Sequence, residues 1–440
     1  MASAPETPIH ALINYEDPYV QPLILSALEK RLPASSYKLI SSLTDLPSPS
    51  TPCLQFVQYE SIDWDHLMSS PKALANAYVI RKALIRKHYL STTIANWITK
   101  YPDSALKRGA KPSVEFEVDY AEFLDDALVE AWELKESWAR SERFADDERE
   151  KREWWILKPG MSDRGQGIRL FSSEEELTAI FEEWDPESDD DDDDEQDARS
   201  DADDAEKDEG IITSQLRHFV AQPYIHPPLL LAPPGAPSQP RKFHIRTYVL
   251  ATGALQVSIY KPMLALFAAR PYSPPWETDF ASSADQRDAA MRAHLTNTCL
   301  QASGDRDGSV GLFWDLPDSA AAPRGWKDDV FAQIQSITAA TFEAAARGMG
   351  VHFQPLPNAF EIFGLDFMVG IEDDSALNTY LLEVNAFPDF RQTGGELSGV
   401  IAGLFEGVVE EAVLPFFGVE GRGEKSGDMV RVLDIDLGRR

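Results

Sequence analysis

A lysine and a glycine-containing loop stand between two apolar segments near the middle of the chain. Residues 154–171 read WWILKPGMSDRGQGIRLF, in which Lys158 ends the first apolar segment and the polar loop contains Gly165 and Gly167. A lysine at the end of a buried strand, beside a loop rich in backbone N–H groups, is suited to holding phosphate groups. The segment predicts a polyphosphate site, and further residues are needed to make that prediction specific.

Three basic side chains alternate along a later segment, RKFHIRTYVL. Because alternate residues of a strand share one face, Lys242, His244 and Arg246 should point the same way. Neighbouring cations repel one another and lose hydration unless an anion lies over them. A phosphate chain would supply that anion. The alternative is an exposed edge strand with a solvated basic face.

Oxygen-bearing side chains interrupt two apolar segments near the end of the chain, FEIFGLDFMV and LLEVNAFPDF. Glu383 and Asn385 share one face of their predicted strand, and we expect Asp366 to lie on the strand next to it. Magnesium prefers hard oxygen ligands and is usually shared between a few carboxylates and substrate phosphates. The pattern predicts a magnesium site for a bound ATP, with buried hydrogen-bonding groups of purely structural function as the alternative.

The adenine of such a nucleotide needs an apolar surface with a backbone acceptor and donor at its edge. The segment HFVAQPYI can provide both. Pro223 keeps its carbonyl although it lacks an N–H, and Ile225 retains its N–H.

The composition restricts the class of partner. The 440 residues carry a formal net charge of −32, much of it in the acidic segment 185–210, which we expect to be a disordered insertion. An acidic body argues against broad binding of nucleic acid or of anionic membranes. Only Cys53 and Cys299 occur, and the N-terminus lacks the features of a signal peptide. We therefore expect a cytoplasmic protein.

The periodicity of apolar residues predicts an alternation of strands and helices. The N-terminal part should contain a strand at 9–15, a helix from Asp17 to Leu32, a strand at 54–59 and a helix at 72–91. A long charged helix at 119–152 and a capped helix from Ser173 to Trp184 should follow. Beyond Lys242 we expect a hairpin, a helix at 328–347, the two strands with the oxygen-bearing residues, a helix at 396–418 and a loose tail after Gly421.

Six segments, in this order, resemble motifs of the tubulin-tyrosine ligase family within the ATP-grasp superfamily. They are WWILKPGMSDRGQGI, VAQPYIHPPLLL, RKFHIRTYVL, AHLTNTCLQ, FEIFGLDFMV and LLEVNAFPDF. The likeness spans roughly Arg81 to Phe390 and is greatest to fungal and plant members related to SurE-fused proteins.

The resemblance implies an α/β fold of the ATP-grasp type, with the nucleotide between a central and a C-terminal domain. A small α/β domain should occupy residues 1–75, the central domain 76–226, the C-terminal domain 227–422 and a tail 423–440. The implied reaction is the ATP-dependent activation of a protein carboxylate as an acyl phosphate, which the amine of a free amino acid then attacks. Tubulin is one candidate for the protein substrate.

The resemblance also assigns roles to residues. Lys158, Lys242 and, less firmly, Lys82 would hold phosphates, and Arg246 would contact phosphate or substrate. Asp366, Glu383 and Asn385 would hold Mg²⁺. The remaining nucleotide contacts would come from Arg164, Gly165, Gln166, Gly167, Gln222, Pro223, Tyr224, Ile225 and the position of His244.

Two departures from the family pattern keep a second function open. His244 replaces an acid between the lysine and the arginine of the cationic strand, and Leu266 stands where the family has an arginine near the γ-phosphate. Arg270, four residues later, is the candidate replacement for that arginine. If it does not replace it, the chain would be an ATP-binding scaffold or a protein-interaction module with impaired catalysis.

Overall fold

The computed structural model describes most of the chain. The described residues are 7–160, 166–184, 217–234, 236, 238–278, 280, 284–296, 309–393 and 397–438. Arg164, Gly165, Cys299 and the acidic segment 185–210 lie outside them. Within the described residues, no helix is long and apolar enough to cross a membrane.

The chain folds as two compact units. Unit 1 consists of Met1–Lys111, Ile225–Pro274 and Ala281–Arg440. Unit 2 consists of Pro112–Tyr224 and Pro275–Phe280.

The N-terminal part of unit 1 is a parallel sheet. Its strands are β1 (Ile9–Asn14), β2 (Tyr37–Ile40), β3 (Cys53–Val57) and β4 (Ala73–Ala75), in the order β2-β1-β3-β4. The helix Val20–Arg31 follows β1, and the Asp17 carboxylate just before it accepts the N–H of Tyr19 at 2.8 Å and of Val20 at 3.2 Å. These observations confirm the predicted α/β opening.

The helix predicted at 72–91 is wrong at both ends, since its first residues form a strand and the second helix here continues to Lys100. Residues 73–75 pair with β3 as a strand, and the helices here are Lys82–Ile85 and Lys87–Lys100. Tertiary pairing overrides the helix propensity of the alanines and leucine in this segment.

Unit 2 contains an antiparallel sheet. Its strands are β5 (Val114–Glu117), β6 (Trp155–Pro159), β7 (Arg169–Phe171) and β8 (His218–Pro223), in the order β5-β8-β6-β7. The predicted helix after Ser173 is confirmed as Glu174–Trp184, and the N–H of Glu176 donates to the Ser173 hydroxyl at 3.2 Å.

The single long helix expected at 119–152 is wrong. The segment forms the helices Leu124–Ala127 and Trp132–Ser141 and a 3-10 stretch over Asp146–Lys151. Buried Leu124, Leu128, Leu134 and Trp138 keep a helical spacing across the break, so periodicity could not reveal it.

The larger part of unit 1 is built around an eight-stranded sheet. The strand β10 (Arg241–Thr252) pairs antiparallel with four neighbours, and β14 pairs with β15. The other strands are β9 (Leu230–Leu231), β11 (Gln256–Tyr260), β12 (Leu264–Phe267), β13 (Val310–Leu312), β14 (Phe360–Ile371), β15 (Leu377–Ala386) and β16 (Met429–Asp434).

Helices cover this sheet, and they include the long helix Trp326–Gly348, which confirms the one predicted at 328–347. The remaining helices of unit 1 are Trp64–Ser69, Leu106–Gly109, Ala284–Met291, Ser398–Val408 and Leu414–Phe417, with a π-helical turn at Val409–Val413. The helix expected at 396–418 is thus interrupted by that turn.

The end of the chain is not a loose tail. Residues 429–434 form β16, which pairs antiparallel with β11. The predicted looseness is therefore wrong for this segment, whose alternating valines match a half-buried edge strand.

The strand β10 separates two apolar cores. Phe243, Ile245 and Val249 pack into one cluster, whereas Tyr248 and Leu250 pack into another. The predicted alternation of faces along this strand is confirmed, and it places Lys242, His244 and Arg246 on the Tyr248 side.

Candidate active site

The central strand β10 brings three basic residues to one face of the unit 1 sheet. Lys242, His244 and Arg246 are 3%, 3% and 7% exposed. A solvated basic edge strand is therefore wrong, because β10 is paired on both sides and its cations are buried. Burial at this level requires nearby compensating charge.

A protein carboxylate compensates one of these cations. Arg246 and Asp366 face each other across β10 and β14, and they form a two-point contact. The distance from Arg246 Nε to Asp366 Oδ1 is 2.5 Å, and that from Nη2 to Oδ2 is 3.0 Å. Burial disfavours the charged guanidinium, but the attraction and hydrogen bonds of Asp366 raise the pKa of Arg246 overall.

His244 is not a third cation. Burial is the main cause that lowers its pKa, with Arg246 acting in the same direction and Asp366 opposing it. The neutral ring places Nδ1 2.6 Å from the Thr296 hydroxyl and Nε2 3.6 Å from Asp366 Oδ1. The repulsion expected on this face thus reduces to that between Lys242 and Arg246.

The predicted metal ligands come together. Asp366 lies opposite Glu383 across β14 and β15, and a bulge follows Asp366. The Asn385 amide nitrogen is 3.3 Å from Asp366 Oδ2 and 3.2 Å from Glu383 Oε1. Asp366 is 3% exposed, whereas Glu383 and Asn385 are only partly buried.

The chemistry of this donor set fits Mg²⁺. Two carboxylates and an amide offer hard oxygen atoms, and each carboxylate oxygen that accepts a hydrogen bond retains a second lone pair. The set holds just two acids. In keeping with this, no group of three or more His, Cys, Asp and Glu suited to a metal occurs within the described residues.

Sequence reasoning missed three residues of this region. Thr296 and His294 belong to the quoted motif AHLTNTCLQ but received no role. Burial, with a contribution from Lys242, lowers the pKa of His294 to about 3. Gly364 lies opposite Asn385, and an added Cβ would stand 2.8 Å from Pro388 and 3.3 Å from Arg246 Cδ. The glycine before LDF in the strand sequence could have indicated this close approach.

Unit 2 carries the other predicted phosphate contact. The Lys158 ammonium lies 3.0 Å from the Gln222 side-chain oxygen, since β6 and β8 are neighbours. Gln166 is exposed, and Gly167 has φ +71°, a conformation that favours glycine.

The predicted adenine segment lies at the end of β8. Pro223 is opposite Trp155, and the N–H of Tyr224 donates to the Trp154 carbonyl at 2.8 Å. Ile225, the first residue of unit 1 after this strand, packs with Met368 and Tyr380.

The remaining candidates are two exposed cations and one buried leucine. Lys82 is exposed at the start of its helix. Leu266 lies opposite His244 and is fully buried in an apolar cluster. Arg270 follows the end of β12 and is exposed.

The site combines buried basic side chains on the central strand β10 with carboxylate and amide oxygens on β14, which pairs with β10, and on β15, which pairs with β14. This combination is suited to a nucleotide-dependent class of site. The family comparison agrees, because residues 98–420 match the tubulin-tyrosine ligase family. The chain therefore belongs to the tubulin-tyrosine ligase family.

Relatives and a solved structure cover nearly all of the chain. A probable tubulin–tyrosine ligase of Schizosaccharomyces pombe is 43% identical over 417 residues, 94% of both chains. The probable tubulin–tyrosine ligase PBY1 of Saccharomyces cerevisiae is 41% identical over 430 residues, which are 94% of this chain and 54% of that protein.

The solved structure is the C-terminal domain of K. lactis Pby1, described as an ATP-grasp enzyme interacting with the mRNA decapping enzyme Dcp2. It is 35% identical with a TM-score of 0.66, and the match covers 97% of this chain and 99% of that one. The fold is therefore the predicted α/β ATP-grasp fold.

Proposed function

We propose that the protein is an ATP-dependent ligase that joins the amine of an amino acid to a carboxylate of a protein. The observation that carries the proposal is the buried polar group of β10, β14 and β15, in which Lys242, Arg246 and Asp366 share one face of a central sheet. Membership of the tubulin-tyrosine ligase family and the ATP-grasp fold support it.

In this proposal Asp366, Glu383 and Asn385 hold Mg²⁺. The bound metal would neutralise charge on the phosphate oxygens of ATP. Arg246 fixes the orientation of Asp366 through its two-point contact, and Thr296 fixes the ring of His244. We also propose Lys242 and Lys158 as residues that contribute positive charge toward phosphates.

The proposed reaction has two steps. An oxygen of the protein carboxylate attacks the γ-phosphorus of ATP, the bond between that phosphorus and the ADP oxygen breaks, and an acyl phosphate and ADP form. The amine of the amino acid then attacks the carbonyl carbon, the C–O bond to phosphate breaks, and the amine gives up a proton as the amide forms. We further propose that the reaction takes place in the cytoplasm, with tubulin as one candidate substrate.

Transfer of a labelled amino acid tests this function. The purified protein is incubated with ATP, Mg²⁺, a mixture of labelled amino acids and a cell extract, and labelled proteins are identified. We expect ATP-dependent labelling that Lys242→Ala abolishes and that Lys38→Ala, a change at an exposed lysine of β2, leaves intact. Absence of labelling with the natural protein would contradict a ligase.

A nucleotide-binding scaffold is the second candidate function. Leu266 favours it, because a fully buried leucine occupies the position opposite His244 where the family pattern has a cation. The solved relative, described as interacting with Dcp2, also supports a role in protein assembly.

Two variants separate the candidates. In a complete enzyme Arg270→Ala should abolish transfer. In a scaffold Leu266→Arg should create transfer, provided that a thermal unfolding scan shows the variant to be folded, since the new cation would enter an apolar cluster. Transfer by the natural protein that survives Arg270→Ala would exclude Arg270 as the replacement.

A further inference from the structure

Unit 2 exposes large apolar side chains within one short segment. Tyr120, Phe123, Val129 and Trp132 are 52%, 47%, 55% and 66% exposed, and we name them the 120–132 surface. A tryptophan this exposed is unusual for a side chain that is mostly buried in folded proteins. Several exposed apolar side chains within one short segment indicate an interaction site more strongly than a single one does.

The opposite side of the same segment is anchored in the core of unit 2. Leu124, Leu128, Leu134 and Trp138 are buried there with Phe181 and other residues of the unit. The exposed side chains therefore do not hold the segment in place. Tyr120 and Phe123 contact each other edge to face, with ring centroids 6.1 Å apart.

Acidic residues are interspersed with these apolar ones along the segment. Residues 119–136 read DYAEFLDDALVEAWELKE, in which Lys135 is the one basic residue. In the part of the chain that the structure describes, five of the acids form no ion pair: Glu122, Asp125, Asp126, Glu130 and Glu133. Their charge is available to a positively charged partner.

We propose that the 120–132 surface docks a basic amphipathic helix of a partner protein. An apolar stripe of that helix would cover Phe123 and Trp132, and its lysines and arginines would face the surrounding acids. The same acids would repel nucleic acid and anionic membranes. The inference is independent of the ligase function, because it uses none of the residues assigned to ATP.

Three labelled peptides of about sixteen residues test the chemistry of the partner. The first peptide has Leu and Trp on one face of a helix and Lys on the opposite face. The second carries Glu in place of Lys. The third keeps the Lys but replaces the apolar residues by Ser. Fluorescence anisotropy should show binding of the first peptide with a Kd on the order of 10 μM or below. Binding of the other two should be at least about tenfold weaker, because apolar contact and charge are both needed.

Variants locate the binding. Trp132→Ala combined with Phe123→Ala should weaken binding of the first peptide by about ten- to thirtyfold, as expected for aromatic anchors. Met68→Ala with Val351→Ala changes exposed apolar residues of unit 1 and is the matched control. Asp125→Asn with Asp126→Asn should lower affinity and reduce its dependence on salt. Circular dichroism confirms that each variant is folded.

Three results would overturn the proposal. The first is equal binding of the Lys and Glu peptides, and the second is unchanged binding by the Trp132→Ala, Phe123→Ala variant. The third is concentration-dependent dimerisation in sedimentation that this variant abolishes, since the surface would then bind a second copy of the chain. A monomeric protein that binds only the basic amphipathic peptide supports the proposal.

Discussion

The strand β14 carries two buried carboxylates, Glu361 and Asp366, and each of them pairs with an arginine from another part of the chain. The surroundings of these two pairs differ. Glu361 Oε1 lies 2.9 Å from Arg81 Nε, and Asp366 forms its two-point contact with Arg246. The neighbours of the first pair include the N–H of Tyr78, 3.1 Å from Glu361 Oε2, and the rings of Tyr59 and Phe387, whose centroids are 3.8 Å and 5.3 Å from the Arg81 guanidinium carbon.

Asp366 instead lies among polar side chains of the two strands that flank β14. His244 and Asn385 approach the same carboxylate, and Glu383 faces it from β15. A buried charge held by backbone and aromatic groups is typical of a structural pair. A carboxylate shared among several titratable and amide groups is typical of a site that binds ions or catalyses a reaction.

The largest expected effect is on the Asp366 pair. Asp366→Asn should lower the free energy of unfolding by about 3 to 5 kcal/mol, because it leaves Arg246 charged and buried without a counter-ion. Adding Arg246→Gln should restore part of the loss. Urea unfolding measures both, and a stability of Asp366→Asn within about 1 kcal/mol of the natural protein would show that the pair is not needed.

The contribution of Glu361 to the free energy of unfolding should depend on pH. Burial raises the pKa of Glu361 from 4.5 to about 7, against the opposing effects of Arg81 and the Tyr78 N–H. The folded state therefore holds this proton more tightly than the unfolded state, so ionisation removes stability as the pH rises through this range.

Relative to Glu361→Gln, the natural protein should lose on the order of 3 kcal/mol of unfolding free energy between about pH 4.5 and pH 8. Denaturant titrations of both proteins at several pH values give this difference. A difference that stays constant with pH would mean that Glu361 is ionised throughout.

A smaller effect is expected at Lys158, whose neighbour Gln222 is uncharged. Lys158→Ala should leave the fold intact and weaken ATP binding by about ten- to a hundredfold, the loss of one charge-assisted contact. Lys151→Ala, at an exposed lysine of the same unit, is the control for calorimetry. An ATP affinity equal to that of the natural protein would remove Lys158 from the site.

The sequence predicted the parts of the fold that depend on local patterns. The alternation in KFHIRTYVL, FEIFGLDFMV and LLEVNAF was enough to place β10, β14 and β15 and the face on which Asp366, Glu383 and Asn385 stand. Short strands such as β4 and β16 were missed, because pairing with distant strands determines them.

The partners of the site residues could not be predicted. Strand parity showed that Arg246 faces the same way as Lys242, but the register that sets it opposite Asp366 depends on the pairing of strands 120 residues apart. Burial, which makes His244 neutral, is likewise a property of the folded protein.

The most direct test of the account is the magnesium dependence of ATP binding in two variants of the paired strands. Calorimetry with Mg²⁺ and with a chelator is carried out on the natural protein, on Glu383→Gln and on Glu361→Gln. We predict that Glu383→Gln reduces the gain in ATP affinity from magnesium by at least about tenfold, whereas Glu361→Gln leaves that gain unchanged. An undiminished magnesium gain in folded Glu383→Gln would contradict the assignment of β14 and β15 as the metal site.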